Sequence, residues 1–165
     1  MTPIEQAILT WIHLISAAIW VGGSLFIGVV FSPLLKTLSN SVEERLQIMI
    51  RVGKRFNKIA VPSLIILIGT GLYNSHALLS NFDLLVLTSY GIFLLIKIVL
   101  VIALIITYVV HVSVIRKDVE EQIMSKQMSE KQIQKLRQKI IILGEITVVI
   151  SVAILFFASL LDAGV

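Results

Sequence analysis

Long apolar runs constrain this chain more than any other feature. They cover about residues 4–35, 59–79, 90–115 and 140–161. Each is at or above the roughly 20 residues that cross a hydrocarbon core of ~30 Å. Backbone groups in lipid have no water to bond, so such runs must be helices that satisfy their own N–H and C=O groups. The chain is 57% hydrophobic and 15% charged, where a soluble domain carries about a quarter charged residues. The expected fold is therefore all-α: an integral membrane four-helix bundle, with residues 1–165 forming one domain. The first run is longer than a bilayer needs, with Gly22, Gly23 and Pro33 as expected bends. Glu5 precedes it without any Lys or Arg, so it reads as an uncleaved helix and not as a secretory signal.

The charged residues give the topology. Every Lys and Arg except Lys97 lies between Lys36 and Lys58 or between Arg116 and Lys139. The positive-inside rule places both connections in the cytoplasm, and the two termini and the Ser80–Ser89 connection on the outer side of the plasma membrane. The formal charge of +4 thus reports membrane topology, with the lipid bilayer as partner and no nucleic acid. Ser41 followed by Glu44 is a capping-box pattern, which predicts a surface helix leading into the second span. Ser129 with Gln132 is a second restart signal. Val119, Ile123, Ile133 and Leu136 around it recur at roughly helical spacing, which predicts a hairpin extending the third and fourth spans.

Ionisable groups in the hydrocarbon are expensive and are functional candidates by default. They are His13, His76, Lys97, His111 and Glu145. At ~1.5 Å per residue, His13 and Lys97 lie roughly 12 Å from the outer boundary. His76 lies about one turn from it, giving an outer cluster. His111 and Glu145 form an inner pair. Helical phase supports the grouping. Tyr90, Leu94, Lys97, Val101, Leu104, Tyr108 and His111 share a stripe. Gly69, Tyr73 and His76 share a face of the second span, and His13, Ser16, Ala17, Trp20, Ser24 and Gly28 share one of the first. Each residue also has a plainer reading. Lys97 would snorkel to the headgroups, His76 would be solvent-exposed, His111 and Tyr108 would be interfacial, and Glu145 would pair with Arg55, Lys58 or His111.

Imidazole suits iron, copper and zinc, and two histidines on different helices are the usual axial pair of a membrane haem. His13 and His76 are at comparable depth and form the expected metal-ligand pair. Trp20, Gly69, Tyr73 and Lys97 complete the candidate cofactor site, with Lys97 facing a propionate. Copper is the competing metal. Cu(I) prefers sulfur ligands, yet there is no cysteine, and Met1, Met49, Met124 and Met128 all lie at the start or in the basic connections.

Trp11-Ile12-His13, Trp20, Gly22, Gly23 and Pro33 resemble the first helix of the copper-resistance protein D (CopD-like) membrane proteins. Arg55-Phe56 leading to Gly69, Gly71 and Leu72 resembles the second helix of that family, Tyr90-Gly91 with Lys97 its third, and Glu145 an acidic residue of its fourth. The layout is also similar to HemJ-type protoporphyrinogen oxidases, with an early His at His13, a lysine at Lys97 and an acidic residue at Glu145. That resemblance implies a b-type haem and porphyrin chemistry. Two departures weigh against the oxidase activity. Tyr108 and His111 are separated by two valines, and Gly144-Glu145-Ile146-Thr147 replaces an Asn-Glu before proline.

The expected function is binding of one haem b in the outer half of the bilayer, serving electron transfer with a quinone or a redox partner protein. His111 and Glu145 would form a proton path to the cytoplasm. The alternatives are a CopD-like copper binding or transport protein and a HemJ-like oxidase. Whether the chain is an enzyme or an oligomer stays open.

Overall fold

The computed structural model of the chain describes residues 2–115, 122–123, 125 and 128–164. Its elements are α1 (Pro3–Leu38), α2 (Val42–Leu79), α3 (Phe82–Leu87), α4 (Ser89–Val114) and α5 (Glu130–Asp162). All but α3 are long and apolar enough to cross a membrane, as the apolar runs predict. Many large apolar side chains, among them Leu14, Val29, Ile65, Val99, Ile106 and Val149, face outward. That outward face suits lipid and would be insoluble in water.

The helix starts are written locally. Thr2 accepts from the Glu5 amide while Glu5 accepts from the Thr2 amide, a complete capping box. Ser129 and Gln132 form a second complete box at the start of α5, as their spacing predicts. Ser41 caps α2 through the Glu44 amide at 3.3 Å, but the Glu44 carboxylate turns away to accept from the Ser39 hydroxyl. Half of that expected box forms. Asn81 caps α3 and Thr88 caps α4. Gly91 lets the α3–α4 corner close, because a Cβ there would sit 2.3 Å from the Leu85 carbonyl oxygen.

Two departures from the sequence reading concern helix shape. The predicted surface helix and second span are one helix of 38 residues, about 57 Å long. Val42, Leu46, Met49, Ile50, Phe56 and Ala60 carry one apolar face through the basic stretch, so nothing breaks the helix there. Leu46 and Ile50 pack with Ile123, Ile133 and Ile140 in a buried cluster at the basic end. Of the expected hairpin, the fourth span is extended back to Glu130 and Ile123 packs with Ile133 and Leu136, but α4 ends at Val114 and Val119 lies outside the described residues. Two π-helical turns, Ala18–Gly22 and Phe26–Phe31, interrupt α1 close to the expected bend positions Gly22, Gly23 and Pro33. Each wide turn takes up extra residues and corrects the drift of an i+4 series around a normal helix. Trp20, Ser24, Gly28 and Ser32 consequently stay on the inward face. Gly23 faces the Phe56 ring, which occupies the space a Cβ would need.

The helices associate as two pairs. α1 runs along α2, and α4 packs most extensively along α5. Trp20, Val21, Ala60, Leu64 and Leu104 form the buried centre where the pairs meet. Few close backbone contacts join α2 to α4. The basic connections lie at one end of the bundle, and the chain ends and α3 at the other.

Candidate functional site

Because the pairs part on either side of the Trp20 layer, a cavity opens on each side of it. The terminal-end cavity has a volume of about 350 Å³ and includes His13, Trp20, Gly71, Lys97 and Ser151 in its lining. Its lining runs from Leu64 to Leu79 on α2 and from Leu94 to Ile105 on α4, about 22 Å and 16 Å along the helices. It is therefore a tall slot between helix pairs. Leu72 and Ile102 line it and are also more than half exposed. The slot thus opens sideways toward lipid.

His13 is held in one orientation. The Thr70 hydroxyl donates to the Ile66 carbonyl at 2.7 Å, so its oxygen is left to accept from His13 Nδ1–H at 2.6 Å. With the hydroxyl proton on Ile66, His13 carries its own proton on Nδ1 and keeps a lone pair on Nε2. The ring stands against Gly71, where a Cβ would be in ordinary contact at 3.7 Å from His13 Cε1. Lys97 is partly buried on the facing helix. No carboxylate lines this cavity.

Of the six predicted cofactor residues, the structure brings His13, Trp20 and Lys97 together. The other three stand apart from the cavity. His76 is exposed, its Nδ1–H donating to the Tyr73 carbonyl of its own helix at 2.8 Å. The Tyr73 ring lies beside it at 5.7 Å and is 47% exposed. Gly69 is exposed with open space around it. His13 meets α2 at Thr70, six residues before His76, which puts the two histidines about 9 Å apart in depth. The expected match in depth fails because His13 stands ten residues inside α1, whereas His76 stands three residues from the end of α2.

Trp20 separates the two cavities and lines both. Its Nε1–H donates to the Ser151 hydroxyl at 3.1 Å, and that hydroxyl donates to the Thr147 carbonyl at 2.8 Å. The Tyr108 ring meets it edge-on at 5.1 Å. The basic-end cavity, about 200 Å³, is lined by Tyr108, His111 and Glu145 together with Met49, Lys54 and Asn57. His111 and Glu145 therefore share a cavity, as the sequence pairing predicts. Gly144 makes room for the His111 ring, which also bonds to the Leu143 backbone. The Tyr108 hydroxyl is buried without a hydrogen-bond partner among the described residues.

The sequence reading passed over Thr70, Ser151 and Met49. A Thr one residue before a glycine on a small-residue face is a weak signal for the first. Ser151 stands four residues after Thr147, a signal for its backbone bond but none for Trp20. Met49 was assigned to a loop, and only the continuity of α2 carries its thioether to the cavity.

Residues 50–161, more than half of the chain, match the family model described as copper resistance protein D. An uncharacterised protein of Aquifex aeolicus (strain VF5) is 36% identical over 84 residues, which are 50% of this chain and 57% of that protein. The chain thus spans little more than half the length of that relative. No solved structure matches. With four membrane-spanning helices and this match, the chain is a multi-pass membrane protein belonging to the copper resistance protein D family.

Proposed function

We propose that the terminal-end cavity binds a b-type haem, with His13 as axial ligand, and that the protein moves electrons at the outer half of the membrane. One observation carries this reading. A single imidazole, bonded through Nδ1 to Thr70, lines a tall apolar slot that also holds one amine and no carboxylate. A bare metal ion needs three or four protein ligands, whereas a tetrapyrrole brings four nitrogens and asks the protein for one or two. Among the described residues there is no group of three or more His, Cys, Asp or Glu that would hold an ion. Thr70 would fix the ligating tautomer, as a hydrogen-bonded ring nitrogen does at most metal-bound histidines. Lys97 would pair with a propionate, and Trp20 would form the floor. When bound, the haem would supply one-electron redox chemistry. His111 and Glu145 would pass protons on the basic side of Trp20, which we take to be the cytoplasm. His76 would remain at the outer rim, free to meet a redox partner.

Absorption spectra of the purified protein, as isolated and after dithionite, test the reading. A Soret band that sharpens with new α and β bands, and that His13→Ala abolishes, is the expected result. A spectrum with only the 280 nm aromatic band after haem is supplied during expression would refute it.

Family membership favours a second reading, in which the chain handles copper. His13 alone does not make a copper site. The donors that suit copper better are Met49, His111 and Glu145, which line the basic-end cavity. Metal analysis separates the two readings: one equivalent of copper without porphyrin, lost in Met49→Leu and retained in His13→Ala, would replace haem with copper.

A further inference from the structure

Where α2 enters the apolar part of the bundle it carries Arg51, Lys54, Arg55 and Lys58, with no acidic residue from position 51 to 58. The spacing i, i+3, i+4, i+7 puts all of them on one helix face. All are exposed. Arg51, Arg55 and Lys58 form no ion pair among the described residues. On α5, Lys131, Lys135 and Lys139 recur every fourth residue and are likewise exposed. The level is shared, because Ile140 packs with Ile50 and lines the same cavity as Gly53 and Lys54.

Both helices run unbroken from this level into their apolar stretches and are held together by the Leu46–Ile133 cluster. The cations are therefore presented on a helical frame beside the apolar run that begins at Ile59. A flexible loop would spread them through solvent. Clusters of this size at a membrane boundary attract anionic headgroups, each Lys or Arg contributing about 1 kcal/mol.

We infer that the 51/54/55/58 face of α2, flanked by Lys135 and Lys139 of α5, is a binding site for the phosphate headgroup of an anionic phospholipid. The occupant is lipid and not an acidic protein, because the stripe ends where the helix turns apolar at Ile59 and Ala60. A phospholipid satisfies both halves of that surface at once, its phosphate against the cations and its chains against Ile59 and the residues beyond. Lys54 also lines the mouth of the basic-end cavity, so a bound headgroup would stand at its entrance.

The test uses native mass spectrometry of the whole chain in detergent with equal amounts of phosphatidylglycerol and phosphatidylcholine. Wild-type protein is expected to retain phosphatidylglycerol selectively and to lose that selectivity at high salt. The triple variant R51Q/R55Q/K58Q is expected to bind phosphatidylglycerol about two orders of magnitude more weakly, with phosphatidylcholine binding unchanged. Glutamine keeps helix propensity, and circular dichroism checks the fold. Should the triple variant not assemble, K135Q/K139Q is expected to lower the selectivity several-fold. Equal retention of the two lipids by wild type, or undiminished selectivity in the variants, overturns the inference. So does a stripe-dependent capture of polyglutamate that phosphatidylglycerol fails to displace, which would assign the face to an acidic protein. An excess of inorganic phosphate that strips the lipid completely would show a free-anion site and overturn it as well.

Discussion

Thr70→Val is the sharpest perturbation of the candidate haem site, because it changes one atom's chemistry and almost no volume. In the native arrangement the Thr70 oxygen receives the His13 Nδ1 proton at 2.6 Å while its own proton goes to the Ile66 carbonyl. Valine removes the acceptor. The Ile66 carbonyl keeps its main-chain partner, so the loss falls on His13. A net hydrogen bond contributes about 1 kcal/mol, and a donor left dry costs about 1–3 kcal/mol. His13 escapes part of that cost by moving its proton to Nε2, but that tautomer turns an N–H toward the cavity. Ligation would then require the unfavourable tautomer to be restored. At about 1.4 kcal/mol per tenfold, haem affinity should fall between roughly 10-fold and 100-fold, the range seen for second-layer partners of metal ligands. Titration of haem-free protein followed at the Soret band measures this directly. Thr70→Ser keeps the oxygen and should stay close to wild type. A Thr70→Val protein within twofold of wild type would show that the hydrogen bond does not set the ligating form.

Other consequences lie away from His13. Gly91→Ala puts a Cβ against two α3 carbonyls, backbone atoms that cannot swing aside; we expect a loss of about 1–3 kcal/mol, read as an earlier thermal aggregation midpoint in detergent. Leu46→Ala empties a fully buried position at the basic end and should cost about 2–5 kcal/mol. Because that cluster is remote from the terminal-end cavity, limited proteolysis should accelerate at the basic end while haem affinity holds. Trp20→Phe leaves the Ser151 oxygen without its donor and thins the wall between cavities. A stability loss of about 1–3 kcal/mol should accompany faster proton–deuterium exchange of buried amides on both sides of position 20.

Much of the fold was written in composition and period. Apolar length fixed the spans, and the cap residues Ser129 and Gln132 located the start of α5 to the residue. The stripe from Leu94 to His111 does face the interior. The continuity of α2 was less legible, because six cations between Lys36 and Lys58 look like a loop to any hydropathy argument. The helix persists because burial of Leu46 and Ile50 depends on one face only, and the opposite face is free to be charged. The π turns of α1 were not legible at all. Gly23, which stands between them, packs on the Phe56 ring, a tertiary contact with no local signature.

The site divides along the same line. Which residues face inward is a question of phase, and phase is local; His13, Trp20, Lys97 and His111 were found that way, and Glu145 as an ionisable residue within an apolar run. Which of them meet is a question of relative depth between helices, and this depends on how each helix is seated. Counting from the end of each apolar run put His13 and His76 in one outer cluster. The contact of His13 with Thr70, next to Gly71, places it six residues from His76 along α2. One contact between two helices thus decides both the register of the pair and the identity of the available ligand atom. If that contact seats α1, Thr70→Val should loosen the α1–α2 register along with the ligand. Spin labels at Leu14 and Leu72, exposed positions on the two helices, would report it through a change in the distance between them relative to the same pair in the Thr70 background. An unchanged distance would separate register from ligation and leave the seating of α1 to Phe56.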